Sequence, residues 1–557
     1  MKTRIVSLPL SAFVLCAASR AQSIEQVWTH TANHFGLALG VVGDLDVDGV
    51  EDVLVGSANG GYVLSGASGV VLRSIDPPAG ASQFGRAVAA LGDINGDSVG
   101  DFAVGAPGWD GFAGAAQSAC SVWIYSGGDG ALVRMHSGAN SSAFGFALAS
   151  GGDLDGDGVQ ELIVGAPRGG VNQRGLATVF SGADGSVLRV HDQAGDREML
   201  GYAVAFYGDV TGDGRQEYAV SRPSLRIVGG LDAGLGFVDA FDGGSGQQLW
   251  TAESESGDAE EFGCAVAAGG HFHGDARRFV LVGAREATGQ YAPAHGAVYV
   301  LDGASGHTER HYLGPQNYAG SGWGQALAAL DYDGDGKDDP VAAAPGLAPL
   351  MFEGSKPVRV LRGGGANSAP MATLPIPSAL ERFGHALVAT DLDHDGLAEL
   401  LVSIPGASTV RVYRMFQSPR RYCSAQVNSQ GCAPTMNWQG SPSVSSPQPF
   451  LVGVTNVINN KVGFVFYSVR TLETPFHGGT LCVGAPRRRT PIQPTGGTPP
   501  PDNCSGALSF DLNARIQNGL DPDLVAGAEL FAQYWSRDPA FASHSNMSDA
   551  LAARIGL

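Results

Sequence analysis

The chain has 557 residues, which is too long for one small hydrophobic core and suits a large repeat array together with a further domain. Its 82 glycines and its charged content of only 16% favour strands joined by tight turns over long helices. A formal net charge of -20 argues against a nucleic-acid partner, because phosphate groups would be repelled. Beyond the N-terminus no stretch has the roughly 18 apolar residues of a membrane span, so we expect no membrane insertion.

Residues 1–21 have the pattern of a secretory signal peptide. Lys2 and Arg4 precede an apolar run at 5–18, and residues 19–21 provide a small-residue cleavage signal. The mature chain is therefore predicted to begin near Gln22. Loss of the three basic residues of this segment leaves 31 basic and 54 acidic side chains, a formal charge of -23. We expect an exported protein that is secreted or held at the cell surface.

Seven short steps, each an aromatic residue or leucine followed by glycine, open hydrophobic strands at intervals of 49 to 62 residues. In the third repeat Phe144 opens a first strand, an acidic loop at 153–161 ends it, and three more strands follow at 162–165, 176–180 and 186–191. Four antiparallel strands in about 60 residues, repeated, are the pattern of a propeller blade. The steps are Phe35-Gly36, Phe84-Gly85, Phe144-Gly145, Leu200-Gly201, Phe262-Gly263, Trp323-Gly324 and Phe383-Gly384.

The two ends of the repeat array complement each other. The seventh repeat supplies strands from Phe383, at 400–403 and at 410–415, but no fourth strand before Pro419. Ahead of the first step, residues 24–31 form an unassigned strand-like segment. We infer that this segment is the outer strand of the seventh blade, which closes the ring and leaves no open sheet edge. The predicted fold is all-β, with a seven-bladed propeller over residues 22–416 and a small β-sandwich-like domain over residues 417–557.

A second motif accompanies the aromatic-Gly steps. Gly-Ala-Pro follows the second strand at 105–107 and 165–167, and variants of it occur at 283–285, 344–345 and 404–405. Together these motifs resemble the FG-GAP repeats of integrin α-subunit propellers, over roughly residues 24 to 416. The resemblance implies a seven-bladed propeller, in agreement with the strand count.

Six of the seven repeats carry an acidic loop between their first two strands, with oxygen-bearing side chains at positions 1, 3, 5 and 9. Calcium takes six to eight oxygens in flexible geometry, and such a loop adds a backbone carbonyl at position 7. Position 6 is glycine in five loops and Ser98 in the other, as a sharp turn requires. The expected calcium ligands are Asp44, Asp46, Asp48, Val50 and Asp52; Asp93, Asn95, Asp97, Val99 and Asp101; Asp153, Asp155, Asp157, Val159 and Glu161; Asp209, Thr211, Asp213, Arg215 and Glu217; Asp331, Asp333, Asp335, Lys337 and Asp339; and Asp391, Asp393, Asp395, Leu397 and Glu399.

We expect up to six Ca2+ ions, held as permanent structural staples in these loops. Asn95 and Thr211 are neutral, so their two loops should bind calcium more weakly. The alternative is that the carboxylates only cap turns by accepting backbone amides. Against that alternative, the six loops hold 22 of the 54 acidic residues, which would repel one another without a cation.

The fifth repeat departs from the loop pattern. It has His271, His273, Asp275 and a terminal Phe279 at the ligand positions, and phenylalanine cannot bind a hard cation. We therefore expect no calcium there. A transition-metal site on the two histidines is the alternative to a loop that has lost its metal.

All acidic loops are expected on one face of the disc, and the opposite face is built from longer and more varied connections. Trp109, Phe112, Tyr291 and Phe352 on these connections are candidate ligand contacts, with ordinary packing between loops as the alternative. In integrin relatives this face contacts the partner, and the resemblance implies the same use here. The expected partner is an extracellular protein or glycan of unknown identity.

Six cysteines remain after the predicted signal peptide. Cys120 and Cys264, in different repeats, are expected to be buried thiols. The other four lie in the last quarter of the chain and can form disulfides in an exported protein. We favour the pairs Cys423–Cys432 and Cys482–Cys504 on sequence proximity alone.

The last quarter of the chain contains strand-like runs at 450–457, 462–469, 507–512 and 525–535, which predict a small disulfide-supported β-sandwich. A Pro/Gly-rich stretch at 486–502 is predicted to be an exposed loop or linker. It includes Arg487-Arg488-Arg489, which we expect to keep the loop solvated rather than to bind a polyanion.

The preferred functional hypothesis is a secreted calcium-binding scaffold for adhesion or ligand binding, because no familiar catalytic motif stands out. One alternative is an enzyme, a lyase or hydrolase that cleaves polysaccharide in a propeller cleft. A further alternative is a quinoprotein, since residues 240–250 resemble the tryptophan-docking motif of quinone-cofactor propellers, although the motif occurs once. An enzyme would show clustered, buried acid-base groups with perturbed pKa values on the face opposite the calcium loops.

Overall fold

The computed structural model divides into two compact units, one formed by Ile24–Phe416 and one that contains Gln417–Leu557. Antiparallel strands dominate both units. Among the described residues no helix has the length and apolar character needed to cross a lipid bilayer. The structure describes residues 22–32, 35–58, 60–109, 120–192, 199–223, 236–254, 261–285, 296–314, 322–332, 336–345, 358–363, 370–374, 382–394, 398–417, 419–440, 442–446, 448–477, 479–498, 500–519, 521–525, 528–541 and 544–555.

The described residues of the first unit form seven four-stranded antiparallel sheets. The first strand, β1 (Gln22–Thr31), pairs with the last strand of the unit. The other six sheets are each formed by four consecutive strands. The first three of these are β2 (Phe35–Val42), β3 (Asp52–Ser57), β4 (Gly60–Leu64) and β5 (Val71–Ile75); β6 (Ala87–Gly92), β7 (Asp101–Ala106), β8 (Ser121–Tyr125) and β9 (Leu132–Ser137); and β10 (Ala147–Gly151), β11 (Glu161–Ala166), β12 (Leu176–Phe180) and β13 (Val187–His191). The next three are β14 (Val204–Gly208), β15 (Glu217–Arg222), β16 (Phe237–Phe241) and β17 (Gln248–Glu253); β18 (Phe262–Gly270), β19 (Phe279–Ala284), β20 (Ala297–Asp302) and β21 (Thr308–Leu313); and β22 (Ala326–Leu330), β23 (Asp339–Ala343), β24 (Val358–Leu361) and β25 (Pro370–Thr373).

The seventh sheet joins the two ends of the unit. Its order is β1, β28, β27 and β26, so the N-terminal strand occupies the outer edge, as the strand count predicted. Two short 3-10 turns, Val171–Gln173 and Pro405–Ala407, complete the unit's described secondary structure. The last three strands are β26 (Leu387–Thr390), β27 (Glu399–Ile404) and β28 (Thr409–Gln417).

Burial within each sheet explains the sequence pattern of its strands. In the third sheet β11 pairs with β10 through Leu148 and Val164, and with β12 through Val164 and Thr178. All six residues of β11 are buried, whereas the outer strand β13 is exposed or half-buried throughout. The second strand is therefore wholly apolar apart from its first residue because it is covered on both faces.

The sheets close into a ring. The first strands of successive sheets contact one another in the order β2, β6, β10, β14, β18, β22 and β26, and β26 contacts β2 in turn. A cyclic arrangement of twisted four-stranded sheets around a common centre is a β-propeller. The predicted all-β propeller fold is confirmed.

A second set of contacts joins neighbouring sheets at six of the seven junctions between the described sheets. A side chain on the outer strand of one sheet donates a hydrogen bond to a carbonyl in the turn between strands 3 and 4 of the following sheet. Trp250 Nε1, for example, lies 2.7 Å from the Gly303 carbonyl oxygen. Trp28 on β1 makes the corresponding bond to Gly66 at 2.6 Å, so the N-terminal strand joins the last sheet to the first. The other contacts of this kind are Arg73 to Gly127, Arg134 to Gly182, Arg189 to Gly244 and Tyr312 to Arg362.

The aromatic-Gly steps lie where neighbouring sheets approach most closely. Phe84 is fully buried and packs edge-on against Tyr125, with ring centres 6.3 Å apart. Gly85 has φ of +88°, and a Cβ atom at this position would lie 2.4 Å from the carbonyl oxygen of Ser57 in the preceding sheet. Only glycine permits this approach, which explains why the step recurs once per repeat.

The second unit contains a β-sandwich of two sheets and a separate two-stranded sheet of β33 and β34. Its larger sheet has the order β29, β39, β38, β32 and β35, with β36 also paired to β32, and its smaller sheet has the order β30, β31 and β37. Val454 from the small sheet and Val465 and Tyr534 from the large sheet belong to one buried core, as Ile516 of the helix does. The elements are β29 (Arg420–Tyr422), β30 (Thr435–Gln439), β31 (Leu451–Val457), β32 (Val462–Ser468), β33 (Thr471–Phe476), β34 (Gly479–Val483), β35 (Arg488–Arg489), β36 (Gln493–Pro494), β37 (Gly506–Asp511), α1 (Asn513–Gln517), β38 (Glu529–Arg537) and β39 (Ser545–Arg554).

The disulfide pairing differs from the prediction. Cys423 is bonded to Cys482 and Cys432 to Cys504, with Cα–Cα distances of 6.5 and 5.8 Å. The predicted pairs were wrong because sequence proximity ignores the fold, which brings together residues 59 and 72 positions apart. The expectation of buried thiols is confirmed for Cys120 and Cys264.

The Pro/Gly-rich stretch also differs from a fully exposed loop. β35 and β36 lie within it and pair with β32, and the buried Thr490 between them donates its amide to the carbonyl of Val465 at 2.8 Å. The stretch therefore forms a broken edge strand of the larger sheet.

Candidate metal centres and the opposite face

Each acidic loop is shaped by its first carboxylate. In the third loop Asp153 accepts the amides of Gly156 at 2.6 Å and Gly158 at 2.9 Å, which curls the backbone around it. The amide at position 7 then donates to the carboxylate at position 5, as Val159 does to Asp157 at 2.8 Å. This capping is what the turn-capping alternative predicts. The position 7 amides of Val50, Val99 and Arg215 donate in the same way.

Four loops bring at least three carboxylates together within 4.8 Å of one another. The third loop is the most complete, because all four of its acidic side chains belong to the cluster. Oxygens at this spacing repel one another unless a cation lies between them. The four clusters are Asp44, Asp46 and Asp48; Asp153, Asp155, Asp157 and Glu161; Asp209, Asp213 and Glu217; and Asp391, Asp393 and Glu399.

The second and sixth loops are described less completely or arranged differently. In the second loop the amide nitrogen of Asn95 donates to Asp97 at 3.0 Å and to Asp101 at 3.3 Å, so a neutral side chain holds the two carboxylates. In the sixth loop Asp331 accepts the Gly336 amide at 2.9 Å, and Lys337 is half-buried. The predicted ligands Asp333, Asp335, Asp395 and Leu397 lie outside the described residues.

The acid at position 9 connects each loop to its sheet. It is at most 2% exposed in all six loops, and one of its oxygens accepts the amide of the residue at position 2. Where this acid is aspartate, its other oxygen accepts a glycine amide in the turn between strands 3 and 4. Asp52 thus accepts Gly66 at 3.0 Å, the glycine whose carbonyl receives Trp28. The acidic loop is therefore connected through one residue to the contact between sheets.

Where position 9 is glutamate, the longer side chain turns its second oxygen back into the loop. Glu217 receives Thr211 Oγ1 at 2.9 Å, and Glu399 receives Arg414 Nε at 2.8 Å. The Oε1 atom of Glu161 is buried and has no hydrogen-bond partner. Burial, with a smaller contribution from the neighbouring aspartates, raises the pKa of Glu161 to about 7. An unpartnered buried carboxylate oxygen beside three other carboxylates is the donor set that a hard divalent cation prefers.

Arg414 and Arg215 make contacts within or between the acidic loops. Arg414 forms ion pairs with both Asp393 and Glu399 in the seventh loop. Arg215, at position 7 of the fourth loop, donates to the carbonyl of Leu154 in the third loop. A guanidinium at the seventh cluster competes with a metal ion, whereas Arg215 links two neighbouring loops.

The loop of the fifth repeat is built from other contacts. Phe279 is fully buried and packs against Phe272 with ring centres 5.6 Å apart. His271 Nδ1 lies 2.7 Å from the carbonyl oxygen of Asp275, and His273 Nε2 lies 3.3 Å from Glu309. The two histidines thus bond to separate protein groups, and the terminal position is an apolar contact.

The opposite face contains a cluster that sequence reasoning missed. Strand 1 runs from the aromatic-Gly step to the acidic loop, so the residue after each glycine lies away from the acidic loops. The Arg86 guanidinium carbon lies 4.4 Å from the ring centre of Phe146, and the Phe146 ring lies 4.9 Å from that of Tyr202. The sequence signal for this cluster was that each of these residues directly follows the glycine of an aromatic-Gly step in successive repeats.

Of the four predicted ligand-face residues, Trp109 is described. It is 5% exposed, packs against Phe146 with ring centres 5.2 Å apart, and lies beneath Arg168 at 5.3 Å. Phe112, Tyr291 and Phe352 lie outside the described residues. Trp109 therefore packs against the cluster that follows the aromatic-Gly steps.

Titratable groups near this cluster are held away from neutral pKa values. Burial, with smaller contributions from Arg86 and Arg382, lowers the pKa of His385 to about 3. Burial raises the pKa of the Cys264 thiol to about 12. Glu261 is 3% exposed and is paired with Arg285. A general acid or base works best with a pKa near the working pH, and His385 and Cys264 do not meet that requirement.

Residues 240–250, which resemble the tryptophan-docking motif of quinone-cofactor propellers, make a structural contact between sheets. Trp250 is buried and donates to Gly303 in the next sheet, in the same manner as Trp28 to Gly66. Its ring therefore fastens two sheets.

The described residues thus form a β-propeller with acidic loops between the first and second strands of its sheets. A family model for the FG-GAP repeat matches residues 84–125, 144–180 and 383–413. These segments of the chain are therefore FG-GAP repeats, and parts of the chain are similar to integrin α subunits.

The similar proteins cover different shares of the chain. The chain is 34% identical to integrin alpha-V of Gallus gallus over 266 residues, which are 44% of this chain and 24% of that protein. It is 35% identical to integrin alpha-5 of Xenopus laevis over 188 residues, 31% of this chain and 18% of that protein. It is 36% identical to phosphatidylinositol-glycan-specific phospholipase D of Mus musculus over 109 residues, 18% of this chain and 13% of that protein. The chain thus spans less than a quarter of the length of these relatives.

Proposed function

We propose that the protein is a secreted propeller that binds Ca2+ in its strand 1 to strand 2 loops and presents its opposite face to an extracellular protein or glycan. The observation that carries the calcium assignment is the third loop, where the unpartnered Oε1 of the buried Glu161 stands among three other carboxylates. The ion would neutralise these groups and hold the loop against its sheet. Its role is structural, and the chain's own carboxylates supply the binding.

Calcium sites differ in strength under this proposal. The first and third loops have acidic side chains at all four positions and no guanidinium in the cluster, so they bind most tightly. The second and fourth loops bind more weakly, because Asn95 and Thr211 replace an acid. The seventh loop binds only when the ion displaces Arg414 from Asp393 and Glu399.

The binding role is supported by the similarity to integrin α subunits and by the chemistry of the opposite face. Arg86 and Tyr202 are half-buried and lie against the buried rings of Phe146 and Trp109, which places a cationic and aromatic cluster on this face. The nearby His385 and Cys264 are held far from neutral pKa values, which favours binding over acid-base catalysis. The lyase or hydrolase alternative therefore has less support.

The proposal is tested with the full chain in two measurements. Isothermal titration with CaCl2 should detect several sites, and Glu161→Gln should remove one of the tight ones. Arrays of matrix proteins and surface glycans should then give a partner that binds in calcium and is lost in chelator, with Arg86→Ala weakening that binding. No calcium uptake, or partner binding that Arg86→Ala and chelator leave unchanged, would overturn the assignment.

Export is tested by N-terminal sequencing of protein from the medium, where the first residue should lie near Gln22.

A further inference from the structure

The outer face of the larger sheet in the second unit carries an apolar groove of about 780 Å3. Strand pairing places Phe464 on β32 opposite Trp535 on β38, and Trp535 opposite Met547 on β39. The Phe464 and Trp535 rings lie side by side with centres 5.4 Å apart. Side chains alternate along a strand, so Phe466 shares this face with Phe464. These four side chains form the floor of the groove.

Two arginines border this floor. Arg489 on β35 pairs with Phe466, and its guanidinium carbon lies 5.9 Å from the Phe464 ring centre. Arg537 follows Trp535 by two residues on β38 and therefore points to the same face. Within the part of the chain that the structure describes, neither arginine forms an ion pair. Arg488, one residue from Arg489, is instead paired with Asp521 at 2.6 Å.

Among the residues that the structure describes, the lining offers hydrogen-bond donors and no oxygen or nitrogen side-chain acceptor. Its polar side chains are arginines and Trp535, and the remaining lining residues are apolar. A ligand for this groove must therefore supply acceptors, which carboxylates do. Sugar hydroxyls would find no side-chain acceptor here, so a neutral glycan fits poorly.

The composition of the groove is that of a protein interface. Aromatic residues, methionine and arginine are enriched at the centres of interfaces, while lysine and acidic residues are depleted. The rim is open, because Phe476, Ile492 and Val462 are 37%, 59% and 52% exposed. Residues 417–557 carry ten basic and eight acidic side chains, whereas residues 22–416 carry 21 basic and 46 acidic side chains. The groove is thus a locally basic site in an acidic protein.

We propose that this groove binds a protein partner through an acidic peptide segment with apolar anchor side chains. The anchors cover Phe464 and Trp535, and the carboxylates pair with Arg489 and Arg537. The expectation that Arg487–Arg489 only keeps a loop solvated is replaced by this role for Arg489. The site is separate from the calcium loops, and its use does not depend on them.

The test uses the full chain and fluorescein-labelled twelve-residue peptides, with fluorescence anisotropy as the measurement. The probe alternates glutamate with phenylalanine and leucine. One matched peptide has lysine in place of glutamate, and another has serine in place of the apolar residues. We expect only the first peptide to bind, with weaker binding at higher salt and equal binding in calcium and in chelator.

The variants separate this site from general charge effects. Arg489→Glu with Arg537→Glu should weaken peptide binding about tenfold or more. Arg470→Glu, an exposed arginine of the same unit, is the matched charge control and should change binding little. Phe476→Ser, at the exposed rim, should also weaken binding, and unchanged unfolding midpoints would show that the variants fold.

Several results would overturn the proposal. These are equal binding of the lysine peptide, an equal loss with Arg470→Glu, or no loss with the double variant. Binding of anionic phospholipid vesicles or of oligouronate, without binding of the acidic peptide, would assign the groove to another ligand class.

Discussion

Replacement of Glu161 by glutamine changes the charge of the third loop and little of its shape. The glutamine oxygen can still accept the Leu154 amide, and its nitrogen can donate to the neighbouring carboxylates. In the wild type without metal, burial raises the pKa of Glu161 from 4.5 to about 7. That shift corresponds to at most about 3 kcal/mol at neutral pH, and to about 1–2 kcal/mol after allowance for solvent near the loop. Glutamine removes this penalty.

Calcium should reverse the order of stability. A site with a dissociation constant of about 10⁻⁴ to 10⁻³ M contributes about 1.4–2.7 kcal/mol at 10 mM calcium. The glutamine variant lacks one strong ligand, so it should lose most of this gain at the third loop. We therefore expect the Glu161→Gln variant to be more stable than the wild type in chelator and to gain less from calcium.

The assay is guanidinium unfolding followed by tryptophan fluorescence at pH 7.5, with 10 mM CaCl2 or with EGTA. Asp184→Asn, in the exposed turn of the same blade, is the matched control and should leave both midpoints unchanged. The reasoning is refuted if calcium stabilises the glutamine variant as much as the wild type. It is also refuted if the variant is the less stable protein in chelator.

The same comparison predicts a pH dependence. Because the folded pKa of Glu161 lies above its unfolded value, its contribution is fully present below about pH 4.5 and is lost as pH rises towards 7. Burial lowers the pKa of His136 and of His191 to about 4, so each histidine adds stability as pH rises from about 4 to 6.5. The contribution of Glu161 is therefore obtained from the difference in unfolding free energy between the wild type and the glutamine variant, measured in EGTA. This difference should grow between pH 4.5 and 7.

Three further predictions concern other parts of the molecule. Arg414→Gln should free two carboxylates of the seventh loop and add or strengthen one calcium site in isothermal titration; unchanged stoichiometry and affinity would contradict the assigned competition. Trp28→Phe should lose the bond to Gly66 and lower the free energy of unfolding by about 1–2 kcal/mol in chemical denaturation, with no change in calcium stoichiometry. Proteolysis without reduction, followed by mass spectrometry, should find peptides that join Cys423 to Cys482 and Cys432 to Cys504; peptides with other pairings would refute the fold of the second unit.

Part of the fold and of the candidate site could be predicted from the sequence because it depends on residues that are close together in the chain. The aromatic-Gly step recurs because an aromatic ring fills the space between blades while glycine allows the backbones to meet, as at Phe84 and Gly85. The spare strand ahead of the first repeat predicted where β1 pairs, since an unpaired sheet edge is costly. The acidic positions of the third loop were readable because each ligand lies within nine residues of the others.

Contacts between residues that are far apart in the sequence could not be predicted in this way. The disulfide partners are 59 and 72 residues apart, and strand pairing in the second unit brings them together. Arg414 lies on β28, well beyond the loop it pairs with, so the competition for the seventh site follows only from the sheet register. Arg489 could be seen as part of a basic run, but its place beside Phe464 depends on the pairing of β35 with β32.

The amino-acid sequence by itself determined the repeat, the strand order within each sheet and the acidic loop positions, because these depend on spacing along a few neighbouring residues. The tertiary structure decided which acids have a free oxygen, which arginine opposes a metal, how the cysteines pair and where an aromatic groove meets unpaired charge. Those properties arise from burial and from side chains that meet across sheets, and no local spacing encodes them.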